Sequence, residues 1–183
     1  MTLSAPRHTP LLLPVVLVVG LLAGTALFLA AKVHHPPPIE RLDVEYWDLL
    51  GTPVPEVDLE TLEGACISSR PFGSQEYLVF VGDPGCPACD EVYPELRKAA
   101  EHLPVLLVYT HGLEASRAKA AEHTFPFPVA FDSLEALTDP LRVAGYPTAY
   151  WIAADGRIRK AASGNRSSTA VVRLAAAAQE AAP

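Results

Sequence analysis

The sequence predicts an α/β domain with a mixed sheet, and two observations support this class. First, apolar stretches of strand length alternate with segments of helical pattern from about residue 54 onward. Second, the last two predicted strands flank Asp155-Gly156, a dipeptide that favours a tight antiparallel hairpin. Strands that alternate with helices favour a parallel sheet, and the closing hairpin adds an antiparallel portion. The sheet should therefore be mixed and flanked by helices.

The N-terminal part of the chain is predicted to anchor it in a membrane. Residues 11–31 carry no charged side chain, and as a helix they would span about 30 Å, the thickness of a bilayer core. A cleaved signal peptide has a shorter apolar region, of about 7–15 residues. We therefore expect a single transmembrane helix at 11–31 behind a tail at 1–10, with cleavage near residues 24–26 or 29–31 as the alternative.

A linker with a short helix is predicted at 32–53. Three consecutive prolines at 36–38 favour an extended spacer between membrane and domain. The preceding His34 and His35 could bind a metal, but solvated linker residues are the simpler interpretation, because no second ligand pair lies nearby. Residues 42–50 have apolar side chains at helical spacing.

An N-terminal β-hairpin is predicted next. Residues 57–60 alternate in polarity like a strand, Glu63-Gly64 marks a turn, and residues 65–68 can return as the partner strand. Cys66 falls on the returning strand. We expect it to be a buried small apolar residue, with a third redox thiol or an intermolecular disulfide as the alternative.

The remaining elements follow in chain order. Residues 77–81 form an apolar run that predicts the central strand, and a helix with Pro94 inside it is expected at 86–103. Ser133 is a candidate cap for the helix predicted at 133–143. The later predictions are a strand at 104–109, a helix at 113–123, a strand at 129–131, a helix at 133–143, hairpin strands at 148–153 and 157–161, and a terminal helix from 167 or 168 to 182.

Two cysteines lie at the junction between the central strand and its following helix. Cys86 and Cys89 are spaced C-x-x-C. Cys86 would lie at the helix N-terminus, where unpaired N–H groups and the helix dipole favour a thiolate, the attacking species in disulfide exchange. Cys89 would lie one turn further along and inside the domain. We therefore expect dithiol–disulfide chemistry in which Cys86 attacks and Cys89 resolves.

Two motifs together resemble a known family. Gly85-Cys86-Pro87-Ala88-Cys89 followed by Pro94 resembles the thioredoxin active site. Gly145-Tyr146-Pro147-Thr148, followed by the predicted hairpin, resembles the cis-proline turn of that fold. With the predicted anchor, the chain is most similar to membrane-anchored TlpA-like or ResA-like oxidoreductases. The Cys86-Pro87-Ala88-Cys89 pair and the later Gly164-Asn165-Arg166 also resemble MauD, the relative from methylamine utilisation.

The resemblance implies a thioredoxin fold over residues 54–183 and a protein-disulfide oxidoreductase that needs no dissociable cofactor. It also implies a cis peptide bond at Pro147 and a backbone at Tyr146 that pairs with an incoming substrate strand. The domain would face the periplasm or the cell exterior and would reduce disulfides of exported proteins with electrons from a membrane thiol donor. Cytochrome c maturation and methylamine dehydrogenase maturation are the two substrate pathways that it suggests.

The sequence departs from the family at two positions. Gly85 replaces the tryptophan that usually precedes the first cysteine, and the buried acid of the preceding strand would fall at Phe80, which cannot take up a proton. Glu76 and Asp83 are the alternative acids, although we expect both at the surface. The residues between the cysteines include no histidine, so we expect a reduction potential nearer that of thioredoxin than that of a strong oxidant.

Composition and ligand spacing limit the other functions. The net charge of −7 argues against nucleic acid as a partner. A structural zinc site commonly uses two close pairs of ligands, and no second Cys or His pair follows Cys89. We therefore expect no bound metal. A thioredoxin-fold copper or zinc carrier that uses the same cysteines is the alternative, with His111 as the best-placed additional ligand.

Overall fold

The computed structural model describes residues 44–164 and 168–181. A short 3-10 helix, Val44–Leu49, comes first. The strands are β1 Asp58–Thr61, β2 Cys66–Ser68, β3 Tyr77–Gly82, β4 Val105–Tyr109, β5 Val129–Phe131, β6 Thr148–Ile152 and β7 Ile158–Ser163. The helices are α1 Pro87–Ala100, α2 Leu113–His123 and α3 Thr169–Ala181.

The strands form one seven-stranded mixed sheet in the order β2-β1-β5-β4-β3-β6-β7. β4 pairs in parallel with β3 and with β5, while the other neighbouring strands are antiparallel. β1 and β2 form a hairpin that adds two strands at one edge, through the antiparallel pairing of β1 with β5. The mixed sheet and the N-terminal hairpin that the sequence predicts are confirmed.

The interior strands are buried on both faces, and alternate residues serve two different cores. On one face Phe80 and Leu107 belong to a cluster that includes the buried sides of α1 and α3. On the other face Val79 and Leu106 pack in a cluster that includes Tyr46 of the 3-10 helix. Strands covered on both faces explain why these segments are continuous apolar runs in the sequence.

The helix predicted at 133–143 is absent, and turns take its place. The reason is Asp132, which is 2% exposed and whose carboxylate accepts hydrogen bonds from the three backbone N–H groups of residues 136–138. Glu135 also has a φ of 55°, in the left-handed region, which interrupts a right-handed helix. The capping role predicted for Ser133 was therefore wrong, and a buried carboxylate organises this segment instead.

No helix within residues 44–164 and 168–181 is long and apolar enough to cross a membrane. The predicted tail at 1–10, the predicted span at 11–31 and the part of the linker up to residue 43 lie outside the described residues. His34, His35, Asn165 and Arg166 lie outside them as well. The boundaries proposed for these segments stay predictions.

Candidate active site

The loop between β3 and α1 is a tight turn that delivers Cys86 to the start of the helix. The Asp83 carbonyl accepts the Cys86 N–H at 3.1 Å, and the Asp83 carboxylate accepts the Gly85 N–H at 2.8 Å. Cys86 is the N-cap of α1 in an extended conformation, and Pro87 begins the helix. Proline suits that position because its fixed φ is helical and its missing N–H would have no partner there.

The two thiols occupy different environments. Cys86 is partly exposed, whereas Cys89 is 0% exposed. The backbone N–H of Cys89, in the first turn of α1, is shared between the Cys86 Sγ at 3.2 Å and the Cys86 carbonyl at 3.0 Å. A sulfur with this access and this donor suits the attacking role, and a buried sulfur one turn away suits the resolving role. The assignment of roles stays a prediction.

Burial raises the pKa of the Cys89 thiol well above its ordinary value, and the hydrogen bond with Cys86 raises it further. The backbone N–H of Asp83 acts in the opposite direction. In the dithiol form Cys89 is therefore a neutral thiol held in the core.

The turn before β6 has the conformation that the resemblance predicts, because the Tyr146–Pro147 peptide bond is cis. Gly164 closes this turn from the end of β7: its N–H donates to the Pro147 carbonyl at 2.6 Å. A Cβ at Gly164 would lie 2.6 Å from Pro147 Cδ and 2.7 Å from Cγ. Sequence reasoning used Gly164 only as part of a resemblance and missed this packing role, which depends on a residue 17 positions away.

The phenol of Tyr146 is fixed by the segment that follows β4. Its hydroxyl lies 2.5 Å from Thr110 Oγ1, which in turn lies 2.7 Å from His111 Nδ1. Glu135 Oε1 lies 4.0 Å from the other ring nitrogen of His111. Within the part of the chain that the structure describes, no group of three or more His, Cys, Asp and Glu side chains could hold a metal ion. His111 lies against the cis-proline turn, with its Nδ1 3.4 Å from the Tyr146 hydroxyl.

Neither acid considered as a substitute for the missing buried carboxylate takes its place, although the charge of Asp83 does raise the pKa of Cys89. Phe80 is fully buried in the core beneath α1. Glu76 lies before β3, whereas the cysteines follow it, and its carboxylate accepts hydrogen bonds from Trp151 and Arg159. The Asp83 carboxylate is used within its own turn. The structure instead brings two tyrosine hydroxyls together in this core, 2.9 Å apart, from Tyr93 and Tyr109.

Cys66 is exposed, so the expectation of a buried residue was wrong. It lies on β2, a three-residue strand at the edge of the sheet, where it pairs with Glu60. An edge strand has a neighbour on one side only, and this position is left in solvent.

Comparison with known proteins points to one family and one fold. The profile of the AhpC/TSA family matches residues 50–161. No curated protein matches the chain. Three similar solved structures are a secreted Mycobacterium tuberculosis disulfide oxidoreductase homologous to Escherichia coli DsbE, the thioredoxin domain of a thiol-disulfide oxidoreductase from Bacteroides vulgatus, and StoA from Bacillus subtilis.

These structures are distant in sequence but cover the same fold. The Mycobacterium protein is 17% identical, with a TM-score of 0.58 over 66% of this chain and 95% of that chain. The Bacteroides domain is 18% identical, with a TM-score of 0.57 over 69% and 97%. StoA is 18% identical, with a TM-score of 0.53 over 66% and 96%. At such identities the comparison shows the thioredoxin-like fold, and it is consistent with the predicted oxidoreductase class.

Proposed function

Since this chain belongs to the AhpC/TSA family, we propose that it is a protein thiol–disulfide oxidoreductase that works through Cys86 and Cys89. The observation that carries the proposal is the arrangement of the two sulfurs. Cys86 is partly exposed at the N-terminus of α1. Cys89 is buried one turn further along, and its backbone N–H donates a hydrogen bond to the Cys86 sulfur.

The arrangement supports exchange in two steps. The Cys86 thiolate attacks a substrate disulfide, forms a mixed disulfide and releases one substrate sulfur, which takes up a proton. Cys89, once deprotonated, attacks the Cys86 sulfur, forms the Cys86–Cys89 disulfide and releases the second substrate sulfur, which is protonated in turn. Two electrons pass from the dithiol to the substrate, and no further cofactor is required.

Substrate docking is proposed at the cis-proline turn. The backbone of Tyr146 would pair with an extended segment of the substrate beside the disulfide. Two features support a fixed platform there: Gly164 donates to the Pro147 carbonyl, and Thr110 holds the Tyr146 hydroxyl. The partners would be protein disulfides, since a backbone edge recognises an extended polypeptide.

The proposal extends to location and direction. A single-pass anchor at 11–31 would hold the domain at the cell membrane, on the periplasmic or extracellular side. There it would reduce disulfides of exported proteins with electrons from a membrane thiol donor. The length of the uncharged N-terminal run and the similarity to TlpA-like and ResA-like or MauD-like proteins support this extension. Cytochrome c maturation and methylamine dehydrogenase maturation are the proposed pathways.

Trapping in cells tests the proposed activity. In a Cys66→Ser background, Cys89→Ser should accumulate mixed disulfides with partner proteins, because nothing resolves them. Cys86→Ser is the matched control and should accumulate none. Equal trapping by both variants would overturn the assignment of roles, and the absence of trapping by either would overturn the proposed activity.

Equilibration of the full chain with glutathione buffers tests the direction. The reduction potential should lie nearer thioredoxin's value of about −270 mV than the oxidant value of about −120 mV. A potential above roughly −160 mV, within the oxidising part of that range, would show that the protein introduces disulfides.

A further inference from the structure

The resolving step requires Cys89 to lose a proton, yet this thiol is buried. The backbone N–H of Asp83 favours the thiolate form of this sulfur, whereas burial and the neighbouring Cys86 disfavour it. A second donor near the sulfur would therefore matter for the rate of the step. The inference that follows rests on the proposed function.

Tyr109 and Tyr93 belong to the same buried cluster as this sulfur. Tyr109 ends β4 and pairs in register with Gly82, while Tyr93 lies one helical turn after Cys89 on α1. A Cβ at Gly82 would lie 3.6 Å from Cys89 Sγ and 3.6 Å from Tyr109 Cε1. The sulfur and the tyrosine ring therefore share the space that the glycine leaves open.

The two hydroxyls hold one more proton than their mutual hydrogen bond uses. Tyr93 Oη and Tyr109 Oη are 2.9 Å apart, and either can be the donor. One O–H is used in this bond, and within residues 44–164 and 168–181 neither hydroxyl has another hydrogen-bond partner. A buried O–H without an acceptor is unfavourable. The pair therefore presents a spare donor in the core that contains Cys89.

We propose that the Tyr93–Tyr109 hydroxyl pair donates its spare O–H to the Cys89 sulfur as that sulfur becomes a thiolate. The Cys89 S–H bond breaks and its proton passes to solvent. The thiolate attacks the Cys86 sulfur, the Cys86–Cys89 bond forms, and the electron pair leaves with the substrate sulfur, which takes a proton from solvent. The tyrosines undergo no net proton change, so they position the reacting thiolate.

Both phenols keep their protons at neutral pH, as this role demands. Burial raises the pKa of Tyr109 to about 12. Burial and the bond to Tyr109 raise the pKa of Tyr93 further above its ordinary value. The charge of Cys89 raises the pKa of each tyrosine, so all three groups are electrostatically coupled.

Other ionisable groups face the pair from the packed elements, and they must be separated from it in a pH experiment. Asp90 on α1 forms an ion pair with Lys119 on α2, with Nζ 3.2 Å from Oδ1. His123, at the end of α2, has its Nε2 3.7 Å from the same oxygen and its ring centroid 4.7 Å from that of Tyr93. The charge of Asp83, in the loop before Cys86, raises the pKa of Tyr109 as well.

Stopped-flow reaction of the full chain with 5,5′-dithiobis(2-nitrobenzoate), in a Cys66→Ser background, separates the two steps. The first release of thionitrobenzoate reports attack by Cys86, and the second reports resolution by Cys89. In Tyr93→Phe/Tyr109→Phe the second release should be about tenfold slower, and its pH midpoint should rise by about one unit, as for loss of a hydrogen bond to a charged group. The first release should be unchanged. The single variants identify which hydroxyl donates.

Tyr77→Phe is the matched control, since Tyr77 is a buried tyrosine on β3 in the other core and its hydroxyl bonds the Ser69 carbonyl at 3.2 Å. It should change neither release. His123→Gln and Asp90→Asn should leave the effect of the double tyrosine variant in place. An unchanged pH midpoint in that double variant, or an equal shift in Tyr77→Phe, would overturn the inference alone. Absence of the second release in the unsubstituted chain would overturn the proposed function, and the inference with it.

Discussion

Gly164→Ala tests whether the contact with Pro147 maintains the substrate turn. The added Cβ would lie 2.6 and 2.7 Å from two carbons of the proline ring and 3.1 Å from the Pro147 carbonyl oxygen. Carbon atoms normally approach to about 3.5–4.0 Å. Either the turn or the chain at residue 164 must therefore move by about 1 Å to restore that separation.

The expected loss in the free energy of unfolding follows from these contacts. Overpacking of a tight site costs about 1–3 kcal/mol. The Gly164 N–H···O=C Pro147 hydrogen bond would be weakened as well, with a net contribution of about 1 kcal/mol. We expect the free energy of unfolding to fall by about 2–4 kcal/mol, the sum of these two effects. We also expect the reduction of a protein disulfide to slow more than the reaction with a small aromatic disulfide, since only the protein substrate needs the turn.

Urea unfolding and the two rates measure these effects in the full chain. Gly64→Ala is the control: Gly64 has a φ of +86°, with nothing near its would-be Cβ, in the turn between β1 and β2. It should cost about 1–2 kcal/mol through backbone strain and leave the ratio of the two rates unchanged. If Gly164→Ala retained both the stability and the rate ratio of the unsubstituted chain, the packing argument would be refuted.

Three further predictions follow from burial and ligand chemistry. Burial raises the pKa of Tyr77 from 10.0 to about 12. As the pH rises, the unfolded chain therefore loses this proton before the folded chain does, and the free energy of unfolding should fall between pH 10 and 12 by up to about 1.4 kcal/mol per pH unit for each such tyrosine. Urea titrations should show a smaller fall in Tyr77→Phe, and an equal fall would contradict this. Asp132→Ala should lower the free energy of unfolding by about 3 kcal/mol, because it removes a charged acceptor of several buried donors. Asp132→Asn should lower it by less. Equal stability of both variants and the unsubstituted chain in urea would count against this role. The reduced full chain should carry no stoichiometric zinc or copper by elemental analysis, and one-to-one copper that requires both active-site cysteines would favour the carrier alternative.

Local patterns determined most of the elements. The helix at Leu113–His123 and the strand at Val129–Phe131 have the bounds predicted from their sequence patterns. The hairpin around Asp155-Gly156 is present as well, with Gly156 at a φ of 79°. These features depend on residues within a few positions of one another, which is why the sequence is sufficient to predict them.

The failures have one physical cause in common. A helix was expected at 133–143 with Ser133 as its cap, but the buried carboxylate of Asp132 and the left-handed Glu135 determine the path of this segment. Cys66 was expected to be buried because cysteine usually is, but its strand lies at the sheet edge. Propensity describes a residue type, whereas burial is decided by the neighbours that the fold supplies.

The sequence by itself determined that two cysteines meet at a strand–helix junction, since their spacing and the turn before them are local. Only the tertiary structure decided what surrounds those sulfurs. Tyr93 and Tyr109 come together from α1 and β4, and Gly164 closes on Pro147 across the β6–β7 hairpin. Such contacts join residues far apart along the chain, so their energies depend on three-dimensional packing and leave no periodic signal in any short window of sequence.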